Sequence, residues 1–412
     1  MRVFVACALC WCSVAFGDDW LIWGGKNRDF IVTSKAKLAD TWPATGPRKI
    51  WSRPLGDGYS AVAVEGSTLY TAFRRGTKDV ITALNAADAK MIWEFNYEDV
   101  FTNSYAEKVG PGPYAMPQIV GDRLFMASGT GKIHALDKRT GKQIWSHDLY
   151  REFHATHLEF GYSCHGLPYK DLIIYLAGGS GDAAIAFKQS TGEVAWKNLQ
   201  FKNSHSSPIL INVDGQTHAV GLGASSVFGF NPDNGQLLWS HPHVTNYGLA
   251  VSTPVWAPAA GNILFVASAY GTGARALSLK QSGGKTTVDQ VWADPHDQLH
   301  IGTAIQQDGV VYFSRGYDGP VFTAALDLKT GKIKWQERGF QKAQLVAADG
   351  KVILVDQDGM LALCKMTPDK LVVLAKAQIL ESIAWTPPTL AGTTLYVRDR
   401  KTLAVYDLGA KR

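Results

Sequence analysis

The sequence predicts an all-β chain: an eight-bladed β-propeller of four-stranded antiparallel blades, with an N-terminal strand closing the last blade. Three observations carry that expectation. An eleven-residue hairpin ending in tryptophan recurs along the chain. The tryptophans fall at intervals of 42 to 53 residues. The two ends of the chain each carry part of one blade.

The hairpin is clearest at residues 135–145, Ala-Leu-Asp-Lys-Arg-Thr-Gly-Lys-Gln-Ile-Trp. Ala135 and Leu136 end one strand, Asp137 caps the turn, Gly141 tolerates a positive φ, and the next strand closes at Trp145. Residues 186–196, 229–239 and 325–335 repeat the frame, and residues 83–93 keep it with Ala89 in place of glycine. In each copy a small residue precedes tryptophan by ten positions. Trp292 follows Ala276 at a longer distance, so that hairpin carries an insertion. Trp51, Trp93, Trp145, Trp196, Trp239, Trp292 and Trp335 are thus the docking residues, spaced 42, 52, 51, 43, 53 and 43 apart. A period of that length with about four short strands per unit is the pattern of propeller blades.

Residues 49–54 match the last strand of a blade but have no hairpin before them, whereas the strands at 394–397 and 403–407 lack a fourth partner. Joining these pieces removes an open sheet edge. The blades are expected at 59–95, 113–147, 162–198, 206–241, 250–294, 300–337, 343–378 and 383–408 plus 49–54. Blade seven has Ala375 near its tryptophan position. The chain divides into a signal peptide (1–17), an N-terminal arm (18–47) and the propeller (48–412).

One closed ring with its arm and signal segment accounts for the 412 residues, and 41 glycines and 13 tryptophans suit tight turns and repeated docking. The net charge of +5 comes without a Lys/Arg run, which argues against nucleic acid. Arg2, the apolar run 3–16 and Ala15-Phe16-Gly17 read as a cleaved export signal, too short for a membrane span. A periplasmic or extracellular location follows, with no transmembrane span after cleavage. Of five cysteines only Cys164 and Cys364 then remain, expected as two free, buried thiols.

The repeat resembles the tryptophan-docking motif of PQQ-like (quinoprotein-type) propellers, and lacks the Gly-His and Trp-Asp pairs of WD40 repeats. Residues 20–29, Trp-Leu-Ile-Trp-Gly-Gly-Lys-Asn-Arg-Asp, resemble the Trp-x-x-Trp-Arg-Gly-Pro-Asn-Arg-Asp opening of many envelope propellers, with Gly24 and Lys26 departing from it. They are expected to lie over the disc with both indoles packed. The family includes BamB-like scaffolds and PQQ-dependent dehydrogenases, so the resemblance speaks more for fold than for function. In the dehydrogenases the quinone lies between an indole and a disulfide of adjacent cysteines, with Ca2+ on carboxylate and amide oxygens. Trp385 suits the indole, but residues 18–412 hold neither adjacent cysteines nor a Cys-x-x-Cys-His haem motif.

Connections from an outer strand to the next inner strand share one face with the loops between strands two and three. Nine of the eleven histidines fall on or near that face, all but His134 and His218. Long loops on a rigid scaffold are where function concentrates. Two constellations follow. His154, His157 and Glu159 form a candidate metal cluster. Around the central channel, Tyr59, Ser60, Tyr114, Ser163, Cys164, His165, Ser204, Ser206, Ser207, Ser252, Thr253, Gln344 and Ser382 accompany His205, His300, Glu381 and Trp385, the candidate cofactor residues. The function expected is a non-catalytic envelope scaffold binding a protein or peptide through an aromatic surface (Tyr97, Phe101, Tyr105, Tyr247). Two alternatives remain open: a PQQ- and Ca2+-dependent dehydrogenase acting on an alcohol or sugar, and a glycan-binding propeller.

Overall fold

In the computed structural model, which describes residues 19–102, 108 and 110–410, the strands assemble into eight antiparallel sheets, one per blade. The expected signal segment and Tyr105 lie outside the described residues. Blade one is typical, with strands Ala63–Glu65, Thr68–Arg75, Lys78–Asn85 and Met91–Glu98 from axis to rim. Inner strands are short because eight of them converge on one axis.

Sheet bonding begins later than the sequence suggested. Blades expected to start at 59, 113, 162, 250 and 300 first pair at Ala63, Gln118, Leu167, Val255 and Ile305. The residues ahead of the inner strands line the channel wall and meet their own blade only at isolated points, such as Asp57 with Arg74 and Leu299 with Gly316.

The hairpin repeat explains how blades lock together. The small residue lies opposite tryptophan across the hairpin: Ala83 with Trp93, Ala135 with Trp145, Gly229 with Trp239. A side chain longer than alanine's would crowd the indole, and on Gly229 even a Cβ would sit 2.2 Å from Trp239 Nε1. The ring reaches across to the next blade, where Nε1 donates to a turn carbonyl. Trp51 bonds Ala86, Trp93 bonds Lys138, Trp145 bonds Gln189, Trp196 bonds Pro232, Trp292 bonds Leu328 and Trp335 bonds Thr367, all at 2.8–3.1 Å. Trp239 is the exception. The next hairpin is lengthened, with strands Gly273–Ser282 and Lys285–Asp294, so its turn has moved away and Trp239 donates to His218 Nδ1 at 3.1 Å.

The hydrophobic core falls into five clusters, the largest running through the arm and blades one to three and six to eight. In blade seven Ala375 does stand opposite Leu363 at the docking position. There the arm covers the boundary: Gly46 packs close to Ala377, and Trp42 joins the adjoining core.

The ring closes as the chain ends suggested. Arg48–Pro54 pairs antiparallel with Thr402–Asp407, placing Trp51 opposite Val405, and Arg48 reaches Asp407 at 2.8 Å. The arm goes further than lying over the disc. Trp20 bridges Val64 of blade one, the Leu21 carbonyl accepts from Ile119 of blade two, and Ile31–Val32 adds a parallel strand to blade seven. It thus runs across the mouth on the side of the turns between strands one and two. Among the described residues no helix is long and apolar enough to cross a membrane.

Candidate functional site

With one mouth crossed by the arm, the central channel becomes a funnel open at the other face. That open face is the one expected to carry the long connections. Leu149 donates to Gly131, Tyr162 donates to Gly129, and Leu299 bridges Gly316, so outer-to-inner connections do meet the loops between strands two and three.

The floor is built by residues 23–28. Trp23 stacks on His165, with ring centroids 4.1 Å apart, and its Nε1 donates to Thr253 Oγ1 at 2.9 Å. Arg28 is buried with a positive φ of 58° and donates to the Pro208 and Gly166 carbonyls and to Gln118 Oε1. It therefore ties blades two, three and four to the arm at the axis.

The walls are held by side chains that reach between blades, because inner strands of neighbouring blades do not form a common sheet. Ser206 donates to the Ser252 carbonyl at 2.8 Å, Thr303 to Leu345 at 2.9 Å and Thr386 to Tyr59 at 2.9 Å. His165 accepts the Met116 amide at Nε2 (2.8 Å), which leaves Nδ1–H to donate to Ser207 Oγ at 2.7 Å. Several of the small hydroxyl residues that the sequence placed on the axis, Ser206 and Ser207 among them, are thus rivets between blades.

The funnel encloses about 270 Å3. Tyr59, Tyr114, Ser163, His165, His205, Ser207, Ser252, Thr253, His300, Gln344 and Trp385 line it, all named from the sequence. Ser60, Cys164, Ser204, Ser206 and Ser382 do not, and neither does Glu381, which is exposed and whose backbone amide donates to Asp399. Sequence reasoning missed the aromatic Trp23, Phe160 and Tyr270 and also Leu249, Val251, Ile301, Gly302, Thr303 and Pro387 as lining residues. For Tyr270 a signal existed, since it occupies a loop between strands two and three on the funnel face. Nothing near Trp23 in the sequence indicates that it meets His165.

No Asp, Glu, Lys or Arg lines the funnel among the described residues. Its ionisable groups are held neutral, chiefly because burial disfavours their charged forms. Burial pushes His205 down to about 4 and His300 down to about 3, the latter helped by the Lys342 charge. His165 is driven well below the usual imidazole range by burial and then by Arg28. Burial raises the Tyr59, Tyr114 and Tyr270 hydroxyls and pushes the neighbouring Cys164 thiol up to about 12. Cys164 and Cys364 are buried and unpaired.

The residues of the expected metal cluster stand apart from the funnel. His154 caps the short helix Leu149–Phe153 in a left-handed conformation, and His157 stacks on Tyr150 at 4.1 Å. His154, His157 and Glu159 are all exposed. Among the described residues no group of three or more His, Cys, Asp and Glu side chains gathers as metal ligands. Other histidines serve packing: His147 stacks on Phe187, and His243 bonds Ser268 at 2.9 Å.

Known proteins resemble this chain in both sequence and shape. Outer membrane protein assembly factor BamB of Yersinia pestis is 26% identical over 288 residues, 66% of this chain and 68% of that protein. Quinoprotein alcohol dehydrogenase PedH of Pseudomonas putida is 26% identical over 183 residues, 41% of this chain but 28% of that enzyme. The crystal structure of BamB from Moraxella catarrhalis superposes with a TM-score of 0.60 at 17% identity, covering 88% of this chain and 100% of that one. A europium-containing methanol dehydrogenase gives 0.64 at 14% identity, covering 92% and 89%. Both structural matches show a shared fold. The family model described as outer membrane protein assembly factor BamB matches residues 77–337, more than half the chain, and this chain therefore belongs to that PQQ-like propeller family.

Proposed function

We propose that this protein is a non-catalytic binding protein of the bacterial envelope, exported by its signal segment and engaging a protein partner through the funnel face. The observation that carries the reading is the uncharged funnel lining. General acid–base chemistry near pH 7 calls for a group whose pKa is tuned close to that value. The imidazoles here are instead held neutral, and the nearby thiol is buried and far from its reactive form. The relatives named for outer membrane protein assembly support a protein partner and an envelope setting. Val244 and Tyr247, exposed on the funnel-side connection after blade four, supply apolar contact surface for such a partner.

The competing reading, a PQQ- and Ca2+-dependent dehydrogenase, draws support from the similarity to PedH. The funnel does not suit that pair of ligands. A tricarboxylate quinone calls for cationic partners and a bound Ca2+ for carboxylate oxygens, whereas the lining supplies rings, hydroxyls and neutral imidazoles. Incubation with PQQ and Ca2+, followed by absorbance spectroscopy and dye-linked oxidation of ethanol and glucose, tests the reading. No new quinone band and no oxidation are expected; quinone-dependent turnover would overturn it.

A further inference from the structure

We infer that the funnel is the anchor pocket of the partner interface and receives one uncharged aromatic side chain of the partner protein. The inference rests on reading the funnel face as the partner-binding face and goes beyond it by naming the group received.

The polar side chains of the lining are spent within the wall. Ser163 Oγ bonds His205 Nδ1 at 3.1 Å, Ser252 donates to the Ala267 carbonyl, and Thr303 donates to the Leu345 carbonyl at 2.9 Å. Thr253 Oγ1 accepts from Trp23 Nε1, and Ser207 Oγ accepts from His165 Nδ1. Tyr114 Oη donates to the Gly110 carbonyl at 2.8 Å, Trp385 Nε1 donates to Gln357 Oε1 at 2.9 Å, and Tyr270 Oη meets His300 Nε2 at 2.8 Å. The side-chain atoms of lining residues that lack a partner, Tyr59 Oη, Gln344 Oε1, His205 Nε2 and His300 Nδ1, have almost no accessible surface, so a guest does not reach them. A hydroxylated guest would give up water for little in return.

The surface left for a guest is apolar. Trp23, Phe160, Leu249, Val251, Ile301 and Trp385 line the funnel, and none of them is fully buried by the chain itself. Trp23 belongs to the arm, and the others stand ahead of the inner strands of blades three, five, six and eight, so apolar groups border the cavity on several sides. Covering such surface is worth about 25 cal/mol per Å2. The lining offers no counter-ion among the described residues, so a charged group would lose its hydration without recompense.

Size and surroundings name the occupant. The cavity, about 270 Å3, falls just below the roughly 300–1,000 Å3 usual for drug-sized ligands and suits one ring. A small aliphatic side chain would leave part of it empty and forfeit contacts. The apolar surface also continues past the mouth. Two residues before Leu249, Tyr247 packs edge-on against the lining residue Tyr270, with ring centroids 5.7 Å apart, and Tyr247 and Val244 are exposed. A free small molecule in the funnel leaves that rim uncovered. A protein covers both, in the usual arrangement of a pocketed anchor ringed by weaker contacts.

Calorimetry and saturation-transfer NMR on the full chain at pH 7 test this with the side-chain analogues toluene, p-cresol and 3-methylindole. Benzoate and benzylamine serve as charged counterparts, and glucose as a hydroxylated one. At least one uncharged aromatic ring is expected to saturate the protein below about 1 mM, about tenfold more tightly than glucose or either charged counterpart. The same side chain at the centre of an end-blocked glycine pentapeptide should bind within about threefold of the free analogue. Leu249→Ala should weaken the analogue about threefold, and Val251→Asp at least about tenfold. If Val251→Asp does not fold, Leu249→Ala carries the test. Failure of all the uncharged rings to saturate overturns the inference, as does equal binding of glucose or a charged counterpart, or full affinity in every folded variant. Binding of the free ring without the peptide would make the funnel a pocket for a free small molecule and overturns the anchor as well. Dye-linked oxidation with PQQ and Ca2+ on the same samples separates the two readings. Ring binding with quinone-dependent turnover would sink the non-catalytic proposal and leave the apolar pocket standing; neither binding nor turnover would do the reverse.

Discussion

At the scale of single residues, the turn glycines and docking tryptophans act as one unit. Gly141 has a φ of 71°, and a Cβ there would sit 2.5 Å from the Trp93 ring of the preceding blade. Gly141→Ala is therefore expected to cost about 1–3 kcal/mol, from left-handed strain and overpacking together. Denaturant titration should show a lower midpoint with an unchanged slope. The small residue ten positions before each tryptophan and the turn glycine were legible in the sequence, but the packing of that glycine against the preceding blade's ring was not, because it joins two separate repeats. The histidines were less legible. Their positions placed most of them on one face, but an imidazole can cap a helix, as His154 does, stack on a neighbour, as His157 does, or line a cavity, as His205 and His300 do. The residue type does not choose among these; the packing around it does.

At the scale of elements, the arm departs most from what its sequence suggested. Two tryptophans near the start of a long coil imply docking somewhere. They do not indicate that the coil crosses the axis, because each contact joins residues far apart in the chain. Trp23 and Thr253 are separated by 230 positions, and Arg28 and Pro208 by 180. Arg28 has no carboxylate among its hydrogen-bond partners, only two carbonyls and an amide oxygen, and burial lowers its pKa to about 9. Arg28→Ala leaves those acceptors without their donor at the channel floor. A loss of about 1–3 kcal/mol is expected. Trypsin should then cleave after Lys26, Lys35 or Lys37 at least several-fold faster than in the unaltered protein, while the blades stay protected. Unchanged cleavage would mean that Trp20 and the strand Ile31–Val32 hold the arm unaided.

At the scale of the whole molecule, buried imidazoles give the ring an acid limit. Burial is the leading cause at each site, pushing His134, His205 and His218 down to about 4 and His243 and His300 down to about 3. An unfolded imidazole titrates near 6.5. Below that value the unfolded chain takes up protons that the folded chain refuses, so stability is fully present above about pH 6.5 and declines as pH falls toward 4 and then 3. Denaturation at pH 4.5 should show a stability lower by several kcal/mol, on the order set by a few such groups, than at pH 7. Equal stability at both values would mean that these rings become solvated without unfolding. Blade number and ring closure were legible at this scale because each is a sum of repeated local signals. The precise start of each blade was not: the residues lining the funnel look like strand but find many of their partners in neighbouring blades.

The final wedge is shared between segments made at opposite times. Arg48 meets Asp407, a residue 359 positions later. Whatever order the intermediate wedges adopt while the polypeptide emerges, the circle has no clasp until Thr402–Asp407 arrives. A chain stopped short of that strand would leave Arg48–Pro54 as an unmated ribbon, attractive to any similar ribbon nearby. Arrival of that one strand and closure of the ring would then be a single event.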